Sequence, residues 1–85
     1  MAAVTVENLE PVHTRTGRAC LDWSNVKLAK ATGLSASTIR KFESGRGASD
    51  SARQAMIDAL EAEGVKLYNG GQPGARLMNK TTEHL

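Results

Sequence analysis

The chain has 85 residues, 40% of them hydrophobic, and a formal net charge of +2, so it holds one small domain and its charge total alone selects no partner. A domain of this size buries only about 60% of its unfolded surface, which leaves little margin and makes self-association favourable. No run is long and apolar enough to span a membrane, and the single cysteine, Cys20, rules out an intrachain disulfide and fits a reducing cytosol.

Met1–His13 has no helical period. Val4 and Val6 alternate with Thr5, but Pro11 follows and Glu7 and Glu10 have no basic partner. This stretch reads as a flexible arm or a short edge strand. It lacks the apolar segment of a secretory signal. Thr14–Trp23 is expected to be the first helix, with Ala19, Leu21 and Trp23 as its apolar residues. Gly17 within it costs about 1 kcal/mol relative to Ala.

Ser24–Ala31 reads as a second helix and Ser35–Ser44 as a third, with Ser24 and Ser35 as N-caps. Val26, Leu28 and Ala29 give the second an apolar side. Ile39 and Phe42, three apart, do the same for the third. Thr32-Gly33-Leu34 lies between them. A glycine at Gly33 takes the left-handed conformation that ends a helix, and Gly45 closes the third helix in the same way.

Gly45-Arg46-Gly47-Ala48 is a loop. Ser49 or Asp50 then caps a fourth helix, Ser51–Glu63, with its apolar stripe at Ala52, Ala55, Met56, Ala59 and Leu60. Ile57 sits off that stripe, at the core rim or in a subunit contact. Gly64 ends the helix. Val65–Tyr68 is β-prone, Asn69-Gly70 is a hairpin turn signal, and Ala75–Met78 is the returning strand. Such a hairpin must pack on the helices or pair with a second subunit. Asn79–Leu85 has no period and reads as a flexible tail.

The charge is unevenly spread. From Ser24 to Arg53 six basic residues (Lys27, Lys30, Arg40, Lys41, Arg46, Arg53) stand against two acidic ones (Glu43, Asp50), a net of +4. Gln54 to Glu63 carries Asp58, Glu61 and Glu63 with no base. Positive charge is thus gathered on the stretch from the second helix to the start of the fourth, as a polyanion-binding face requires; a solvated mixed-charge surface is the plainer alternative.

Leu28-Ala29, the turn Gly33-Leu34-Ser35, then Ser37-Thr38-Ile39-Arg40-Lys41-Phe42-Glu43 and Gly45, led in by Trp23-Ser24, resemble the helix-turn-helix of the Xre/Cro-like repressors of bacteria and phages. The ending GVKLYNGGQPGARL resembles the hairpin of short bacterial regulators, so the likeness runs from about Thr14 to Met78. It implies a mainly α, four- to five-helix lambda-repressor-like DNA-binding domain over 14–64. A C-terminal β-hairpin over 65–78 would be a candidate dimerisation element, and 1–13 and 79–85 would be flexible.

By motif position Ala36, Ser37 and Lys41 would read bases, with Lys41 donating to guanine and Ala36 touching a thymine methyl. Arg18, Ser24, Asn25, Ser35, Thr38, Arg40 and Arg46 would bind phosphate. Asn25 is one methylene shorter than the Gln of many relatives. The resemblance also implies an ion pair between Arg18 and Glu43. Ala36 is smaller than the residues common at its position, which shifts weight onto DNA shape.

No catalytic chemistry is apparent. His13 and His84 lie near opposite ends and read as surface histidines, with no zinc-ligand spacing. No serine stands in a nucleophile elbow. The glycine-rich turn of the hairpin lacks the spacing of a phosphate loop. The expectation is therefore a cytoplasmic, nucleoid-associated regulator, without enzyme activity or cofactor, that binds double-stranded DNA as a homodimer. A protein-interaction module, docking a partner through the fourth helix and the hairpin as an antitoxin or co-regulator does, is the competing class.

Overall fold

A computed structural model describes residues 4–69 and 72–78. It contains four helices, α1 (Pro11–Leu21), α2 (Asn25–Thr32), α3 (Ala36–Glu43) and α4 (Asp50–Ala62), followed by strands β1 (Val65–Tyr68) and β2 (Gly74–Leu77). The strands form one antiparallel hairpin, with Val65 opposite Leu77 and Leu67 opposite Ala75. The chain is thus mainly helical with a small C-terminal hairpin. α1 packs on both strands and also touches α3 and α4. α2 packs on α3 and α4, and α4 on β1. Leu28, Ile39, Met56, Leu60 and Val65 fill the centre.

The N-terminal region differs from expectation. Residues 4–13 are not a free arm: Val4 and Leu9 are buried, and a turn closes where the Asn8 N–H donates to the Thr5 carbonyl at 3.2 Å. α1 starts at Pro11, three residues earlier than the sequence suggests. Proline fits the first helical position, where an N–H would lack a partner anyway and φ is already helical. His13, expected at the surface, is fully buried. Its Nδ1 accepts the Glu10 N–H at 2.8 Å, and its Nε2 lies 3.0 Å from the Tyr68 carbonyl. A backbone N–H only donates and a carbonyl only accepts, so Nδ1 is the acceptor and Nε2 the donor in this bridge. His13 thus does at the third helical position what Glu or Gln does in a capping box, while also joining α1 to β1.

The buried side of α1 is His13, Thr14 and Gly17. Ala19 is exposed, and Leu21 and Trp23 are only half-buried. Gly17 is there for closeness: a Cβ on it would stand 2.9 Å from Leu60 Cδ1. α1 ends on Asp22 in the left-handed region, at φ 57°. The Asp22 and Trp23 N–H groups donate back to the Ala19 and Arg18 carbonyls, which satisfies the end of the helix without a glycine.

Ser49 caps α4, its Oγ accepting the Ala52 N–H at 3.1 Å. Ile57 is buried with Ala52, Met56 and Leu60. It belongs to the core, because the helix is covered on two flanks, by α2 and by β1. In the hairpin the Tyr68 ring lies over Gly74, whose place a larger residue would crowd. The expected hairpin turn falls partly, and the Asn79–Leu85 tail with His84 wholly, outside the described residues.

Candidate nucleic-acid interface

α2 and α3 are eight residues each and are joined by Gly33-Leu34-Ser35. Each starts on a serine. Ser24 Oγ accepts the Lys27 N–H and Ser35 Oγ the Thr38 N–H, both at 3.1 Å. Gly33 adopts φ 78° and ends α2, a backbone state that a side chain resists. Thr32 tightens the turn: its Oγ1 accepts the Leu34 N–H at 3.2 Å. The undersides of the two helices, Leu28 and Ala29 on one and Ile39 and Phe42 on the other, are buried. Burial of these side chains holds α3 against the body at roughly 1.5–3 kcal/mol for each large one.

The end of α3 is closed with unusual completeness. A helix leaves its last four carbonyls without intrahelical donors. Here the Arg40 carbonyl accepts from the Ser44 N–H, Lys41 from the Arg46 N–H and from Ser44 Oγ, and Phe42 from the Gly45 N–H. The Glu43 carbonyl accepts from Arg15 Nη1 at 2.8 Å. The Glu43 carboxylate is held in two places by Arg18, from Nε at 3.0 Å and from Nη2 at 2.7 Å. Arg18 Nη1 donates further to the Trp23 carbonyl at 3.1 Å. This ion pair is mostly sheltered, with 18% and 7% of the two side chains exposed, and a two-point fork fixes orientation as well as distance.

The side of α3 opposite Ile39 and Phe42 carries Ser37, Arg40, Lys41 and Ser44, all exposed. Their spacing of three, one and three puts them on one helical stripe. Lys27, Lys30 and Arg46 are exposed as well. Glu43 is occupied by Arg18, and Asp50 pairs with Arg53 at 2.7 Å. Among the described residues, Lys27, Lys30, Arg40, Lys41 and Arg46 therefore meet no carboxylate. Lys27 Nζ lies 5.7 Å from the centre of the Trp23 ring, within the range of a cation–π contact.

The expected site residues fall into four groups. Ser37, Lys41, Arg40 and Arg46 are free at the surface. Ser24, Ser35 and Thr38 are partly engaged in capping: Ser35 Oγ lies 2.9 Å from Thr38 Oγ1 as well as accepting a backbone N–H. Each hydroxyl still has capacity for another partner. Ala36 is half-buried against the core and Asn25 half-buried at the start of α2. Arg18 has Nε and both terminal nitrogens committed within the protein, so its role in the fold is that of a tether. Arg15 escaped the sequence reading. Nothing in the local pattern around it shows that its partner is a carbonyl 28 residues away.

Among the described residues there is no group of three or more His, Cys, Asp or Glu side chains placed to share a metal ion. No described helix is long and apolar enough to cross a membrane. Neither comparison with protein-family models nor comparison with curated proteins gives a match.

Proposed function

We propose that the chain is a sequence-specific regulator of transcription, a repressor, that lays α3 in the major groove of double-stranded DNA. The observation that carries this reading is the exposed stripe Ser37, Arg40, Lys41 and Ser44, directly opposite the buried Ile39 and Phe42. A groove of about 12 Å admits one helix and meets its exposed side. On this reading the helices form a lambda-repressor-like domain of the Xre/Cro type, Ser37 and Lys41 address base edges with Ala36 at their flank, and Arg40, Arg46, Thr38 and the amino ends of α2 and α3 (Ser24, Asn25, Ser35) hold phosphate. Arg18 contributes through Glu43. The protein acts in the cytoplasm on the nucleoid.

Two copies on an inverted repeat would set two α3 helices about 34 Å apart, one turn of the duplex. Leu77 and Met78, 50% and 46% exposed at the end of the hairpin, favour a protein contact there and support that homodimer. They equally favour the second reading, a module that docks another protein through the hairpin and α4. Gel-shift titration with random-sequence duplex at several salt concentrations separates the two. A DNA-binding protein gives log K falling linearly with log salt, by about 0.9 for every phosphate engaged. Absence of binding at low salt defeats the DNA reading and leaves the docking module.

A further inference from the structure

We infer that Arg15 is a positioning residue for α3, setting the angle at which the exposed stripe meets its target; the inference rests on the DNA-binding reading above. Three of the four terminal carbonyls of α3 are satisfied by the next few residues of the chain: Arg40 by the Ser44 N–H, Lys41 by Arg46 and Ser44, and Phe42 by Gly45. The fourth, on Glu43, accepts from Arg15 of α1. Arg15 and Arg18 are three apart on that helix, so they share a face, and both grip the same residue.

The two grips differ in kind. Arg18 holds the carboxylate, which hangs from the backbone through several rotatable bonds, so it fixes where the carboxylate is and leaves the helix some freedom to tilt. Arg15 holds the backbone itself. A cation at this end of a helix also opposes the negative end of its dipole. Ser37 is six residues from Glu43, about 9 Å along the helix axis, so a tilt of about 6° at Glu43 moves Ser37 by about 1 Å. That is larger than the whole spread of good hydrogen-bond distances. Base contacts are sensitive to such a shift, whereas phosphate contacts from long flexible side chains are not.

The test uses Arg15→Ala and Arg15→Lys in the full chain. The readouts are affinity for a duplex selected from a random pool, affinity for random duplex, the salt slope, and hydrogen exchange at the Ser44 and Gly45 amides. Because Arg15 is exposed, its restraint is modest. Arg15→Ala is expected to lose about three- to fivefold in affinity for the selected duplex. Random-duplex affinity and the salt slope should stay unchanged, and the Ser44 and Gly45 amides should exchange faster by a similar factor. Arg15→Lys, which keeps the charge and a donor, should return most of the loss. Equal loss on both duplexes with a slope shallower by about 0.9 makes Arg15 a phosphate contact and overturns the inference. Unchanged exchange at Ser44 and Gly45 overturns it too, as does acceleration shared equally by the amides of α4, which marks a general loss of stability. Should the unaltered protein show no salt-dependent duplex binding, the DNA reading fails by itself, while the exchange data still judge whether Arg15 restrains α3.

Discussion

α1 is bound to its surroundings by two kinds of chemistry. Toward the hairpin and α4 the contacts are uncharged and dry: His13 to the Tyr68 carbonyl, Gly17 against Leu60, and Cys20 Sγ 3.8 Å from the Ala75 carbonyl. Toward α3 the contacts are two arginines on Glu43. Dry contacts have one good arrangement, and departures from it cost cavity or clash energy. A charged fork from Arg18 and a single arginine–carbonyl bond from Arg15, at a partly wet edge, hold a direction without adding much burial. α1 is therefore locked in place by packing on its hairpin side, and on the other side it helps to set the orientation of the exposed helix.

The sharpest way to break that contrast is at His13. His13→Ala removes a fully buried ring and leaves both the Glu10 N–H and the Tyr68 carbonyl without their partner. The expected loss is about 2–4 kcal/mol, read as a lowered midpoint in a urea melt. His13→Gln retains an acceptor and a donor on a similar stem and should lose less than half of that. Equal losses for the two would mean that ring volume, and not the hydrogen-bond bridge, joins α1 to the hairpin.

Gly17→Ala probes the same side with a smaller effect. The methyl group favours helix by about 1 kcal/mol. It also lands 2.9 Å from Leu60 Cδ1, a side chain with no exposed surface to yield into, and overpacking of this kind costs about 1–3 kcal/mol. The net expectation is a destabilisation of about 1 kcal/mol. In a Leu60→Ala background the clash is gone and the substitution should become stabilising, which a double-mutant cycle reads directly. A stabilising Gly17→Ala in the native background would show that α1 and α4 can part without cost.

The helices that were legible in the sequence are those whose signals are local. Serine caps at Ser24 and Ser35, glycine at Gly33 and Gly45, and the Ile39–Phe42 spacing are each complete within a few residues, and α2 and α3 lie within a residue of where those signals put them. The hairpin is legible for the same reason, from alternation and turn residues. The start of α1 is not. Pro11 reads as a breaker when the residues before it lack a period, although it is also a good first helical residue. His13 reads as a surface histidine because polar groups seldom lie fully buried, and nothing in the pattern marks Thr14 as buried. Only the carbonyls they reach, on Tyr68 and Pro11, explain their place. Ile57 is similar, since α4 is covered on a second flank by elements distant in sequence. Of the candidate interface, Ser37, Arg40 and Lys41 were readable as the side opposite Ile39 and Phe42, whereas Ala36, expected beside them, is half-buried and Ser44 was not singled out; the Arg18–Glu43 pair came with the family resemblance. The grip of Arg15 was not readable, because a backbone acceptor has no signature in a sequence.

The exposed stripe of α3 should respond in the opposite way to the buried side of α1. Arg40→Ala and Lys41→Ala remove long side chains that are exposed and meet no carboxylate among the described residues. Each is expected to leave the urea midpoint within about 0.5 kcal/mol of the unaltered protein. Their effects should part on DNA. Lys41, on the reading proposed here, donates to a base edge, so its loss should remove about 1–3 kcal/mol of discrimination at one base-pair position while random-duplex affinity barely moves. Arg40, gripping phosphate, should weaken every duplex by the same factor and make the salt slope shallower by about 0.9. Binding to panels of single-base variants at two salt concentrations reads both quantities from one set of titrations. If Lys41→Ala also lowers all sequences equally, neither residue reads bases. The specificity would then have to come from Ser37 or from the shape of the duplex, with α3 serving as a charged rail rather than a reader.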